Sequence, residues 1–123
     1  MDEGTREIGP RLWVIALCAG WCGVCRDWRP AFLATARAHP EWRFAWVDVE
    51  DEDEAMGGVD ITTFPSVLIA RGREALFFGA IGPSQAALER LASALENQPA
   101  LLPGDAQALL ERLLPEVLPR TST

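Results

Sequence analysis

The sequence contains few cysteines, and their number and spacing exclude one large class of protein. Three cysteines stand among 123 residues: Cys22 and Cys25 as a close C-x-x-C pair, and Cys18 by itself. A small secreted scaffold held together by disulfides would have a larger, even number. One close pair and one isolated cysteine suit a reducing compartment, so we expect a cytoplasmic protein.

Positive charge and long apolar runs are also scarce. The chain carries 18 acidic and 11 basic residues, for a net charge of -7, and its longest apolar run is residues 12–19. An acidic protein is poorly suited to nucleic acid or to an anionic membrane. A run of that length cannot span a bilayer, and the acidic residues 1–7 are unlike the start of a signal peptide. We therefore expect neither nucleic acid nor a membrane as a partner.

The C-x-x-C pair stands where an apolar strand meets a helix. The strand covers Leu12 to Cys18, and residues 26–38 have helical character. Free N–H groups and the dipole at a helix N-terminus favour negative charge, so a thiol placed there ionises more easily. The thiolate is the species that attacks disulfides. The hypothesis is a thiol–disulfide exchange site, with Cys22 as the attacking thiol and Cys25, one turn along, as the resolving thiol.

Two other interpretations of the cysteine pair stay open at this point. A C-x-x-C can bind zinc, but a structural zinc site needs four ligands. Beyond the pair the chain offers only Cys18, His39 and acids, with no second C-x-x-C and no H-x-x-x-H. The pair could also be two inert core residues. We expect no metal and no organic cofactor.

The rest of the chain alternates short apolar strands with helical segments. An internal proline, Pro30, interrupts the first helix, which should end near His39 before Pro40. Ser84 is expected to cap a later helix, and Asp105 a last helix that ends or bends at Pro115. Further strands are predicted at 43–49, 66–70 and 75–80, with one or two helical turns at 54–58.

Taken together, these features resemble the thioredoxin superfamily. The resemblance rests on Trp21-Cys22-Gly23-Val24-Cys25 at a strand-to-helix junction, Pro30 within that helix, and Phe64-Pro65 before a hairpin and a helix. It covers residues 11–96. It implies an α/β fold with a mixed sheet of about four strands and helices on both faces.

The resemblance also implies roles for particular residues. Cys22 matches the exposed nucleophile and Cys25 the more buried resolving cysteine. The resemblance also implies four substrate-binding residues, which are Trp21, Phe64, the cis-proline Pro65 and Gly79. It implies supporting roles for Gly23, Val24 and Pro30.

The sequence departs from the family pattern beneath the cysteines. Gly23-Val24 replaces Gly-Pro, the family's buried acid falls on Ala16, and the lysine neighbouring that acid falls on Trp46. Asp48, two residues along the same strand, is a possible substitute base, although a strand-end acid facing solvent is the simpler interpretation. Cys18 takes the place of a large aromatic and is interpreted as a small core residue.

Three segments are expected: a flexible N-terminus at 1–10, the thioredoxin-like domain at 11–96, and a linker with an extra C-terminal helix at 97–123. About ten residues precede the first strand, so we expect no counterpart of the family's N-terminal strand and helix in this sequence, which would leave part of the sheet uncovered. We expect the apolar helix at 105–114 to pack on that face of the same domain. The alternative is that its leucines dock a partner protein.

The predicted activity is reduction of protein disulfides. The expected partners are a disulfide-containing protein substrate and a dithiol electron donor or reductase, and the chain is expected to be a monomer. Gly23-Val24 and the missing acid leave reductase, oxidase and isomerase open, although a cytoplasmic setting favours a reductase. The alternative is a non-enzymatic function, in which the fold serves as a binding or chaperone-like module and turns over few disulfides.

Overall fold

The computed structural model describes residues 11–59, 61–82, 84–96 and 104–122. The predicted flexible N-terminus and most of the predicted linker lie outside these ranges. Four strands and five helices occur in the described residues. The strands are β1 (Leu12–Cys18), β2 (Arg43–Asp48), β3 (Ser66–Arg71) and β4 (Glu74–Ala80); the helices are α1 (Gly23–Ala38), α2 (Asp53–Met56), α3 (Gln85–Leu95), α4 (Asp105–Leu113) and α5 (Val117–Thr121).

The four strands form one mixed sheet in the order β2-β1-β3-β4. The central strand β1 pairs parallel with β2 and antiparallel with β3, and β3 continues into β4 as an antiparallel hairpin. Every residue of β1 is buried. A strand with such a continuous apolar sequence is stable only when both faces of its sheet are covered. This is the mixed sheet that the sequence predicts.

Alternation along β1 divides the core into two clusters. Even-numbered residues, among them Ala16 and Cys18, face α1 and α3, and we call this side of the sheet the cysteine face. Odd-numbered residues, among them Ile15 and Leu17, face α2, α4 and α5, and we call this side the tail face. Successive side chains on a strand point to opposite faces, so a single strand supplies both cores.

The C-terminal helices cover the tail face. Leu109, Leu110, Leu113 and Leu118 are completely buried there. Gln107 joins α4 to the β3–β4 turn: its amide donates to the carbonyl of Arg73 (2.8 Å) and accepts from the N–H of Ala75 (2.9 Å). In the described residues, α4 and α5 therefore pack against the sheet.

The expectation that Asp105 caps the last helix is wrong. The N-cap of α4 is Gly104, with φ at 77°, and Asp105 is the first helical residue. A glycine accepts this left-handed φ without steric strain, and the carboxylate of Asp105 still lies in the first turn, where the helix dipole favours it. The helix ends at Leu113 with Leu114 as its C-cap, directly before Pro115, as expected, and Val117 begins the separate helix α5.

Within the described ranges, none of the helices has the length and hydropathy needed to cross a bilayer.

Candidate active site

A tight turn between β1 and α1 positions the first cysteine of the pair. The N–H of Cys22 donates to the carbonyl of Ala19 (3.0 Å), and Cys22 is the N-cap of α1. Its side chain is partly exposed, whereas Cys25, in the first turn of the helix, is 1% exposed. The helix thus begins at Gly23, three residues earlier than its sequence pattern indicates. The partly exposed thiol stands among the free N–H groups of the helix start.

The sulfur of Cys25 is bonded to Cys18, and Cys22 is the free thiol. The pair expected from the sequence was Cys22 with Cys25, so the pairing in the structure is different. Cys18 is buried, as expected, but the interpretation of it as only a packing residue is wrong, because its sulfur is bonded. Both bonded residues lie on the cysteine face, one at the end of β1 and one at the start of α1.

The surroundings of the bonded pair are apolar and aromatic. Ala16 pairs in register with Trp46 on β2. The ring of Trp46 lies 5.7 Å from that of Trp28 and 5.3 Å from that of Phe32, and Arg29 stacks over it at 4.8 Å. Alanine and an aromatic ring therefore occupy the two positions at which the resemblance implies an acid and a lysine.

Asp48, proposed from the sequence as a substitute base, holds a turn. One carboxylate oxygen accepts hydrogen bonds from the N–H groups of Glu50 (2.9 Å) and Asp51 (3.2 Å). The other carboxylate oxygen lies 3.2 Å from the position that a Cβ atom at Gly20 would occupy. The carboxylate is thus beside the turn that leads to Cys22, and its hydrogen bonds stabilise the loop after β2.

A groove with aromatic walls and an acidic rim lies beside Trp21, the residue before Cys22. Trp21 is 63% exposed and forms an edge-to-face pair with Phe64, with ring centroids 5.6 Å apart. The indole N–H of Trp21 donates to Glu50 (2.8 Å), which fixes the ring orientation. The groove has a volume of about 360 Å³. Its lining consists of Ala19, Trp21, Val49, Glu50, Asp53, Met56, Val59, Ile61, Thr62 and Phe64.

Sheet pairing brings the remaining predicted substrate-binding residues to the same end of the molecule. The Phe64–Pro65 peptide bond is cis. Ser66, the next residue, pairs with Leu17 of β1 and with Ala80 of β4, and Gly79 pairs with Val67. Pro65 and Gly79 therefore lie at the end of the sheet where β1 terminates, just before the turn that leads to Cys22. Within the described residues, no backbone–backbone hydrogen bond engages Phe64.

Arg26, which follows the cysteine pair, is a site residue that the sequence motifs do not indicate. Its guanidinium donates to the carbonyl of Gly20 (2.9 Å) and so ties the first turn of α1 to the loop before it. The predicted supporting residues Gly23 and Val24 are exposed between the cysteines, and Pro30 is exposed within α1. A basic residue directly after a C-x-x-C at a helix start was the available signal for Arg26.

Within the ranges that the structure describes, no group of three or more His, Cys, Asp or Glu side chains could hold a metal ion. The arrangement is a partly exposed thiol, a buried disulfide within one helical turn of it, and a groove beside the neighbouring Trp21. These are the parts of a thiol–disulfide exchange site on an α/β fold.

Comparison with known proteins identifies the family. The thioredoxin family model matches residues 6–95. Thioredoxin of Geodia cydonium is 30% identical over 87 residues, which are 71% of this chain and 82% of that protein. The structure of Fasciola hepatica thioredoxin is 28% identical, with a TM-score of 0.64, over 75% of this chain and 88% of that one. Oxidised mitochondrial thioredoxin 3 of Saccharomyces cerevisiae is 26% identical, with a TM-score of 0.61, over 70% of this chain and 80% of that one.

This chain belongs to the thioredoxin family. The family and the disulfide-forming cysteines support a thiol–disulfide oxidoreductase in the general sense.

Proposed function

We propose that the protein reduces disulfides of other proteins, with Cys22 as nucleophile and Cys25 as resolving thiol. The Cys22 thiolate attacks one sulfur of the substrate disulfide, and the other sulfur leaves as a thiolate. Cys25 then attacks the sulfur of Cys22, gives up its proton and releases the second substrate thiol. The net exchange turns two protein thiols and one substrate disulfide into one protein disulfide and two substrate thiols.

The observation that carries this proposal is the difference in exposure between the two cysteines. Cys22 is partly exposed at the N-cap of α1, whereas Cys25 is buried one turn along the same helix. An incoming disulfide therefore meets Cys22 first, and Cys25 reaches only a sulfur that is already attached to Cys22. With Ala16 in place of the family's acid, the departing substrate thiolate is the base available to take the Cys25 proton.

The groove indicates what kind of substrate binds. Trp21 and Phe64 offer aromatic surface next to Cys22, and an extended segment could pair with the backbone of Phe64. Acidic Glu50 and Asp53 at the rim favour a segment that carries positive charge. We propose a protein disulfide in an extended segment as substrate, a second dithiol protein as electron donor, and the cytoplasm as location.

Turnover with insulin tests the proposed activity. The wild-type protein with dithiothreitol should precipitate reduced insulin chains, and Cys22→Ser should lower the rate at least about a hundredfold, because the nucleophile is lost. Asp27→Ser, an exposed change on α1 that keeps all three thiols, is the control and should retain the wild-type rate. Absence of turnover by the wild type across several reductants would contradict the proposal.

The direction of exchange in the cell follows from the reduction potential. A titration of the oxidised protein against glutathione measures it, since about 30 mV changes the equilibrium constant tenfold. We expect a potential more reducing than the glutathione pool, as a reductase requires. A clearly more oxidising potential would favour an oxidase or isomerase role.

The alternative is a binding module with little turnover. The apolar support beneath Cys25, made by Ala16 and Trp46, is the observation that favours it. The leucines of α4, which also suggested partner docking, are buried on the protein's own sheet, so they no longer favour it. The insulin assay separates the two functions.

A further inference from the structure

The site contains three sulfur atoms that share one disulfide. Cys18 is bonded to Cys25, and Cys22, one helical turn before Cys25, keeps a free thiol. We infer that Cys18 is a third redox cysteine, which exchanges with Cys22 for the sulfur of Cys25. This inference rests on the proposed function, because it describes where the oxidising equivalents go after a substrate is reduced.

The backbone places Cys25 between two partners. The Cα atoms of Cys18 and Cys25 are 5.9 Å apart, within the usual range for a disulfide. Cys22 and Cys25 are the N-cap and the third residue of α1, so they lie on neighbouring turns of one face. The turn from Ala19 to Cys22 closes with a 3.0 Å hydrogen bond, and Arg26 holds the carbonyl of Gly20. The short connection keeps all three side chains on the cysteine face.

Burial decides which sulfur an external thiol can reach. Cys18 and Cys25 are each 1% exposed, whereas Cys22 is partly exposed. A thiolate must approach the disulfide sulfur that it attacks, so access limits the rate of exchange. Electrons from a donor therefore enter through Cys22 and reach the buried disulfide only by exchange within the protein.

The exchange step balances without any other reactant. After substrate reduction the protein holds a Cys22–Cys25 disulfide and a Cys18 thiol. The sulfur of Cys18 attacks that of Cys25, the Cys18–Cys25 bond forms, the Cys22–Cys25 bond breaks, and Cys22 leaves as a thiolate that takes the proton from Cys18. No electrons are gained or lost, so the oxidised protein is a pair of disulfide isomers.

The apolar surroundings favour the buried isomer. Ala16, Trp28 and Phe32 belong to the same cluster as Cys18 and Cys25. A thiolate in such surroundings is costly, because burial penalises the charged form. The Cys18–Cys25 disulfide is neutral, and the thiol that remains is that of Cys22, which is partly exposed.

Mapping the free thiol of the oxidised wild-type protein tests this inference without any variant. The protein is oxidised with a limiting amount of diamide and transferred to mild acid, where exchange stops because thiols are protonated. It is then unfolded, alkylated with one reagent, reduced, and alkylated with a second. Trypsin releases residues 12–26 as one peptide with all three cysteines, and its fragment ions locate each label.

The expected result is that Cys22 carries more than half of the first label. A first label that is mainly on Cys18 would overturn the inference, because the oxidised protein would then be the ordinary Cys22–Cys25 disulfide. Insulin turnover is measured on the same preparation. If insulin is reduced but the first label is mainly on Cys18, only the exchange between Cys18 and Cys22 is contradicted. If insulin is not reduced, the proposed function itself is contradicted.

Two variants give a second readout. In oxidised Cys22→Ser the disulfide joins the two buried cysteines, so native-state reduction by dithiothreitol should be at least about tenfold slower than in the wild type. Asp27→Ser, which keeps all three thiols, should match the wild type. Cys18→Ala removes one isomer and should lower the equilibrium constant for oxidation at least about twofold, measured by redox titration. Equal reduction rates in Cys22→Ser and the wild type would contradict entry of electrons through Cys22.

Discussion

The two faces of the sheet differ in composition although one strand supplies both. On the tail face, β1 presents Trp13, Ile15 and Leu17 to a core made mainly of leucine, valine and alanine. On the cysteine face, the same strand presents Leu12, Val14, Ala16 and Cys18 to a core that adds cysteine sulfur and four buried aromatic rings to its aliphatic side chains. A shift of β1 by one residue in its pairing would move each of its side chains to the opposite face, because side chains alternate along a strand.

The difference in composition indicates that one face stabilises the fold and that the other carries the chemistry. The tail face has the composition of an ordinary core and lies on the side of the sheet opposite the cysteines. The cysteine face holds all three sulfurs and the helix start that exposes one of them. We therefore expect changes on the tail face to alter stability, and changes at the cysteine end to alter exchange.

Truncation after Gln98 should have the largest effect. It removes four completely buried leucines of α4 and α5, each worth roughly 1.5–3 kcal/mol of burial, which together approach the whole stability of a small domain. Circular dichroism with urea unfolding should show a chain that is largely unfolded in buffer. A fully folded remnant with the stability of the wild type would refute the covering role of these helices.

A matched pair of leucine substitutions separates stability from chemistry. Leu110→Ala on the tail face and Leu88→Ala on α3 each open a cavity at a completely buried position and should each cost about 2–5 kcal/mol of unfolding free energy. Insulin turnover per folded molecule should be unchanged in Leu110→Ala. A cost below about 1 kcal/mol in urea titration would mean that α4 does not pack on the sheet as described.

Trp21→Ala should reduce turnover with little change in stability. The ring is largely exposed and forms one wall of the groove, so its loss should lower kcat/KM for insulin about tenfold, as expected for an exposed aromatic anchor. Asp27→Ser, an exposed change on α1 outside the groove lining, is the control and should keep the wild-type kcat/KM. Equal kcat/KM for Trp21→Ala and the wild type would exclude the groove as a substrate site.

The smallest expected effect is a pH dependence away from the cysteines. His39 stacks on Trp42 and contacts Glu41 (2.9 Å) and Glu89 (3.1 Å), which joins the end of α1 to α3. The hydrogen bond to Glu41, reinforced by that to Glu89, raises the pKa of His39 above its ordinary 6.5, against the opposing effect of burial. The folded state therefore holds this proton more tightly than the unfolded state does.

This stabilisation is complete below pH 6.5 and is lost as the pH rises through the raised pKa. His39→Gln should remove that dependence, at a cost of at most about 1 kcal/mol, since exposed ion pairs contribute little. Urea titrations of both proteins at several pH values measure the difference. A wild-type stability that increases with pH over this range, relative to His39→Gln, would contradict the assignment.

Much of the fold follows from local sequence signals. The apolar strands, the Ser84 cap and the end of α1 before Pro40 agree with the predictions, because each depends on neighbouring residues. The side chain of Ser84 accepts from the N–H of Ala87 (3.1 Å), as its type predicts. The cap at Gly104 was missed because it depends on a positive φ that composition does not reveal.

The candidate site was less predictable. The motif located Cys22 and Cys25, and the resemblance located Trp21, Phe64 and Pro65 at the same end of the sheet. The bond between Cys18 and Cys25 could not be predicted from spacing, because it depends on which face of β1 meets the first turn of α1. Likewise, the roles of Asp48 and Arg26 in holding turns emerge only from their contacts.

The most direct test of exchange at Cys22 is to trap its mixed disulfide. In Cys25→Ser the resolving thiol is absent, so an attacked substrate should stay bonded to the protein. Non-reducing electrophoresis and mass spectrometry should show insulin attached at Cys22 through one mixed disulfide, and the adduct should be absent from the Cys22→Ser, Cys25→Ser double variant. An adduct at Cys18, or no adduct at all, would contradict Cys22 as the nucleophile.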